Sequence, residues 1–197
     1  MKTFYIVSYL TIWFCLTLGR KSRKNQILDA SKLKQVLVAG IQVGSKYYIQ
    51  AVETTEYLSR CNQCGSNGAY PDSAAFESKS GGNYQKWKVV LITNSSPAKI
   101  ALQADTGNYL AVCVGCWQNS IYPNAVFVHA TSISGTYTQW VIQRSEIDYT
   151  WSFQPVYNNQ YLKYCDGCVS GNPPDLAFAD DNNANDGWTK FLLIEAE

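Results

Sequence analysis

The sequence predicts an all-β protein made of three copies of one four-stranded unit, closed into a barrel. Three observations carry that expectation. The stretch YLSRCNQC (57–64) returns as YLAVCVGC (109–116) and YLKYCDGC (161–168), so Cys61, Cys113 and Cys165 stand 52 residues apart each time. Self-similarity at a fixed period of this size means a repeating structural unit. Each unit also carries four short strand signals and little helical periodicity. Finally, three irregular copies are too few for an open solenoid, whose ends need caps, whereas closure removes the exposed strand edges.

The elements follow in chain order. The opening MKTFYIVSYLTIWFCLTLG has one early lysine, an apolar run from Phe4 to Leu18 and small residues after it. This is the pattern of a secretory signal, expected over residues 1–19, with a membrane anchor through residues 4–18 as the alternative. The run is short for a span, which needs roughly 20 residues. A basic lead-in, residues 20–38, contains Arg20, Lys21, Arg23 and Lys24 and then LDASKLKQVLV, a short helix or a strand. The repeated domain is expected over residues 39–197, with units at about 39–92, 93–146 and 147–197.

Each unit opens with a strand ending in glutamine: YYIQA with Gln50, IALQA with Gln103, SFQP with Gln154. Alternation of aromatic or β-branched residues with polar ones marks a half-buried strand, and the polar turns ETTE, DTGN and VYNN then lead into Tyr-Leu pairs, forming hairpins. After the cysteines a loop ends in Tyr70-Pro71-Asp72, Tyr122-Pro123-Asn124 or Pro173-Pro174-Asp175. The next strand is expected to centre on Phe76, Phe127 and Phe178. The last strand holds Trp87, Trp140 and Phe191 in one register, with Tyr84, Tyr137 and Trp188 three residues earlier.

This succession resembles the β-trefoil, in particular fascin-like trefoil modules and, more distantly, ricin-type lectin domains. Gln85-Lys86-Trp87 matches the Gln-x-Trp motif of ricin-type domains, and Thr138-Gln139-Trp140 and Thr189-Lys190-Phe191 occupy the equivalent places. The resemblance implies a six-stranded barrel, two strands per unit, closed at one end by three hairpins. Fascin-like modules bundle actin in the cytoplasm, a role at odds with a secretory leader.

The cysteine pairs fall where the chain must turn after the Tyr-Leu strand, and residues at i and i+3 of a tight turn can meet the Cα separation of a disulfide, about 4.4–6.8 Å. Three local staples are therefore expected: Cys61 with Cys64, Cys113 with Cys116, and Cys165 with Cys168. Disulfides between units stay open, because connectivity is not readable from sequence. A zinc site needs four converging ligands, and threefold symmetry is expected to turn the pairs away from one another. Redox chemistry needs a lowered thiol pKa in an identifiable setting, and none is visible. No metal or other cofactor is expected.

Removing residues 1–24 takes away Cys15, leaving six paired cysteines, and leaves eleven basic against fifteen acidic residues. Paired cysteines suit an oxidising, extracellular compartment. A net charge of −4 argues against a nucleic-acid partner. Catalysis is not expected, since His129 is the only histidine; its counterparts are read as Ser78 and Asp180, and a structural role fits it best.

What recurs on the expected surface is an aromatic beside a carboxylate or amide: Tyr70 with Asp72, Tyr122 with Asn124 near Trp117, and Asp175 in the third unit. Sugars bind such pairs, C–H face on the ring and hydroxyls on the oxygens. The function expected is that of a secreted, monomeric, lectin-like domain for glycans or glycoproteins. A protein-interaction module using one loop, such as a protease inhibitor or a cytokine-like ligand, is the alternative. Asn94-Ser95-Ser96 is a glycosylation sequon.

Overall fold

The computed structural model describes residues 37–38, 40–64, 68–79, 81–93, 97–170 and 175–197. All belong to one compact unit, residues 35–197. The signal segment, nearly all of the basic lead-in, the Asn94 sequon and Pro173-Pro174 lie outside the described residues.

Alternating apolar residues with few helix formers produce strands throughout. A two-residue ribbon, β1 (Leu37–Val38) with β2 (Ile41–Gln42), precedes the main body. Six strands then pair around a closed ring: β3 (Lys46–Ala51), β6 (Trp87–Thr93), β7 (Lys99–Gln103), β10 (Trp140–Arg144), β11 (Trp151–Pro155) and β14 (Phe191–Glu195). Closure leaves no free edge in the ring. Its interior is the main core, containing Ile49, Leu58, Trp87, Ile100, Leu110, Trp140, Phe153, Leu162 and Phe191.

Three antiparallel hairpins stand against the ring: β4 (Tyr57–Cys61) with β5 (Ser73–Glu77), β8 (Tyr109–Val114) with β9 (Asn124–Ala130), and β12 (Tyr161–Asp166) with β13 (Asp175–Asp181). β5, β9 and β13 also touch one another through single pairs, Ala75 with Leu176, Ala125 with Phe178 and Ser73 with Phe127. They enclose a second cluster built on Phe127, Phe178, Leu176, Trp117 and the cysteines.

The recurrent residues named from sequence hold these parts together. The indole N–H groups of Trp87 and Trp140 donate to the carbonyls of Leu58 and Leu110 at 2.8 and 3.2 Å, tying barrel to hairpin. Gln50, Gln103 and Gln154 donate to the carbonyls of Thr55, Gly107 and Asn159, each of which sits at positive φ in the following turn. Short 3-10 turns, Asn83–Gln85, Thr136–Thr138 and Gly187–Thr189, precede β6, β10 and β14. Gln85, Thr138 and Thr189 are buried in these turns and bond nearby carbonyls.

One expected register is corrected. Leu58, Leu110 and Leu162 face Phe76, Val128 and Ala179, so Phe76 corresponds to Val128 and Ala179, and Phe127 and Phe178 correspond to Ala75. A one-residue shift moves a strand side chain to the opposite face. Phe76 therefore enters the barrel core, stacked on Phe191 at 5.9 Å, while Phe127 and Phe178 build the second cluster. β9 and β13 each carry a bulge next to this point, with His129 and Asp180 as the extra residues, whereas β5 has none. Ser78 is not the counterpart of His129.

Candidate functional site

The site is framed by the Cys-x-x-C turns. Within each pair the sulfurs come to disulfide distance, with Cα–Cα separations of 5.4, 5.6 and 5.8 Å. The third residue of each turn, Gln63, Gly115 or Gly167, takes a φ of 60°, 67° or 65°. Glycine adopts that conformation freely, while Gln63 holds it against steric cost. All six cysteines lie in or against the second cluster, because β5, β9 and β13 converge there.

The second and third turns are also docks for the loop of the unit before them. Ala69 N–H donates to the Cys116 carbonyl at 2.9 Å, and Ile121 N–H to that of Cys168 at 3.2 Å. Bridges pair Gly68 with Trp117 and Ser120 with Val169.

The residues expected to meet a ligand are largely used within the chain. Trp117 is only 5% exposed, its ring packed on Phe127. Asn124 is buried and donates from both backbone and side chain to the carboxylate of Asp180. Tyr122 packs on Phe178 and accepts a hydrogen bond from Lys163, whose Nζ lies 4.3 Å from the ring centroid. Tyr70 stacks on His129 at 3.9 Å, and Asp72 pairs with Arg60 at 3.2 Å. Asp175 accepts a hydrogen bond from the Tyr164 hydroxyl and faces Asp166 across the strand pair. Burial and mutual pairing thus make Trp117 and Asn124 scaffold, because a ring or amide with covered faces offers nothing to a sugar.

The open surface lies on the other side of the Cys-x-x-C strands, beside the 3-10 turns. Tyr84, Tyr137 and Trp188 occupy the same turn position and stay 42%, 42% and 39% exposed. Tyr137 walls a groove of about 530 Å³ with Val112, Cys113, Val114, His129 and Ser132. Trp188 walls one of about 230 Å³ with Lys163, Tyr164, Cys165 and Asp166. In the first segment the corresponding place is crossed by Arg60, held between Asp72 and Asp105, the latter at 2.7 Å. The sequence signal for these aromatics was their recurrence, but a 3-10 turn has no period that tells exposure from burial.

Electrostatics differ around the two grooves. Burial pushes the His129 imidazole below its usual pKa, so it stays neutral against Tyr70. Around Trp188, burial pushes the Glu56 carboxyl up; a Tyr164 hydrogen bond opposes this, and the charges of Asp175, Asp166 and Glu77 add to it. The Tyr164 hydroxyl is pushed far up, first by burial and then by its bond to Asp175. Burial also raises Asp180, against the pull of the two Asn124 hydrogen bonds.

No protein-family model matches this chain, and no curated protein does. Solved structures do. A designed threefold-symmetric protein, ThreeFoil, is 18% identical with a TM-score of 0.56, covering 76% of this chain and 97% of its own. The ricin B-like lectin of Macrolepiota procera, solved with lactose, is 14% identical with a TM-score of 0.57, covering 78% and 96%. A salivary protein from Culex, of the cysteine and tryptophan-rich family, is 15% identical with a TM-score of 0.58, covering 81% and 98%. At these identities the likeness is one of fold, and the fold is the β-trefoil.

Proposed function

We propose that the protein is a secreted, non-catalytic, carbohydrate-binding β-trefoil. Its three repeats run over about residues 39–92, 93–146 and 147–197, each with a Cys-x-x-C disulfide. The observation that carries this reading is the exposed aromatic at one position of all three 3-10 turns, two of them walling grooves. An aromatic face beside hydroxyls or carboxylates suits a sugar ring. The ricin B-like lectin of the same fold, solved with lactose, supports it. The cysteine pairs at disulfide distance and the salivary Culex protein support secretion.

The recognition residues in this reading are Trp188, Asp166 and Asp175 in the third repeat and Tyr137, His129 and Ser132 in the second, with Tyr70 and Asp72 at the rim of the first. Weak sites on one monomer gain strength by acting together on a multivalent glycan. A glycan array is the test: binding is expected for the full chain and is expected to fall with Trp188→Ala and again with Tyr137→Ala. Silence across diverse glycans would sink the proposal.

One observation favours a second reading, docking to a protein through a single loop. Between β10 and β11, Ile147 is 94% exposed and Tyr149 61% exposed. The loop is braced by Ser145 and Asp148, which accept hydrogen bonds from Ile147, Asp148 and Thr150, and by the Lys190–Asp148 pair at 2.7 Å. Ile147→Asp should leave glycan binding intact if the first reading holds.

A further inference from the structure

The Trp188 groove differs from its counterparts in the charge left at its mouth. Asp166 and Asp175 face each other directly across β12 and β13. Like charges directly opposite in an antiparallel pair destabilise the sheet. In the first segment, Asp72, the counterpart of Asp175, is answered by Arg60. Here the residue in place of Arg60 is Tyr164, whose hydroxyl bonds Asp175 but brings no positive charge. In the second segment the facing pair is Val114 and Asn124, and neither is charged.

The nearby cations are turned elsewhere. Lys163 also lines this groove, but its Nζ is engaged, lying over the Tyr122 ring at 4.3 Å and pairing with Asp181 at 3.7 Å. Lys79 lies over the rings of Tyr48 and Tyr57 at 5.0 and 5.6 Å. No ion pair reaches Asp166, Asp175, Glu56 or Glu77 among the described residues. The field these carboxylates make is felt locally, since Asp175, Asp166 and Glu77 all push the Glu56 carboxyl upward after burial has done so.

The cavity that Asp166 lines is aromatic-walled, by Tyr164 and Trp188. Trp188 stacks on Tyr164 with ring centroids 5.3 Å apart and planes within 22°, leaving the outer part of the indole open. An indole face attracts a cation through its quadrupole, and a carboxylate at the rim adds a charge-assisted hydrogen bond. We infer that this groove selects a sugar bearing a free, protonated amine, with the pyranose on Trp188 and the ammonium between Asp166 and Asp175. The inference rests on the lectin reading and sharpens it to one ligand class at one repeat. The wider His129 groove has no carboxylate among its lining residues.

Calorimetric titration of the full chain with D-glucosamine, D-glucose, N-acetyl-D-glucosamine and ethanolamine tests it. Glucosamine is expected to bind about tenfold more tightly than glucose or the acetylated sugar, with affinity falling as salt rises. Asp166→Asn, an exposed position, should bring glucosamine down to the level of glucose, and Trp188→Ala should weaken all three sugars. Equal affinity for the three sugars, or a preference that survives Asp166→Asn, would overturn the amine assignment while leaving the lectin reading standing. Ethanolamine binding as tightly as glucosamine would overturn the sugar half. Absence of binding to any of these, with a silent glycan array, would end both.

Discussion

The second and third grooves use one backbone frame and present opposite chemistry. Ala111, Val112, Val114 and Tyr137 line the one where Lys163, Tyr164, Asp166 and Trp188 line the other. Val112 in place of Tyr164 leaves a cavity of about 530 Å³ instead of 230 Å³. The bulge residue behind each follows suit, a neutral His129 stacked on Tyr70 against an Asp180 clamped by Asn124. Pseudosymmetry in this fold repeats strands, turns and staples, because the barrel must close. It leaves side chains on the outer wall free to diverge, since nothing in closure depends on them.

The largest expected effect that tests this contrast is at Tyr164. Its ring is buried between Phe76 and Trp188 and its hydroxyl answers Asp175. Tyr164→Val, which gives the third groove the residue of the second, should cost about 2–4 kcal/mol in urea unfolding. A loss below about 1 kcal/mol would mean that Tyr164 is wall rather than support.

The staples come next. Removing Cys113 and Cys116 together, both half-buried, should cost roughly 2 kcal/mol through lost loop closure. Removing Cys165 and Cys168, both buried, should cost more, because a cavity opens in the second cluster. Alkylation before reduction should find all six thiols unavailable, and equal losses at the two sites would show that the cluster does not depend on the third pair.

Acid titration should then separate the grooves by sign. His129 has a folded pKa below its unfolded one, so its contribution is present above the ordinary imidazole range and is lost as the pH falls through it. Glu56 is raised, so its contribution is present at low pH and is lost as the pH rises from the ordinary glutamate range through the folded value. His129→Phe and Glu56→Gln should each flatten one limb of the stability curve; a variant that flattens the other limb would reverse the assignment.

The smallest effect expected on stability is at Val114, an exposed residue facing Asn124. Val114→Asp should change stability by less than about 0.5 kcal/mol. It should give the second groove some of the amine preference of the third, read by the same titration.

Much of the fold was legible along the chain, for reasons that can be named. The ring strands alternate, Gln50, Gln103 and Gln154 sit before turns that need a carbonyl held, and Cys-x-x-C spacing is short enough to meet within one turn. The candidate site was less legible. Tyr70-Pro71-Asp72 and its relatives read as aromatic-plus-oxygen pairs, but Trp117 and Asn124 are consumed by neighbours that are remote in sequence, Asn124 by Asp180.

By itself, then, the sequence determined the period, the strands and the hairpin turns, all set by contacts a few residues apart or by repetition. Only the tertiary structure decided which face each strand residue took. Phe76 and Phe127 look alike in sequence, and one residue of register sends the first into the barrel and the second into the hairpin cluster. The same packing decided that the three Cys-x-x-C turns meet in one cluster, that Trp188 stays open while Trp117 closes, and that Asp166 stands opposite Asp175 without a cation. Such outcomes depend on distant segments brought together by barrel closure, and no local periodicity records them.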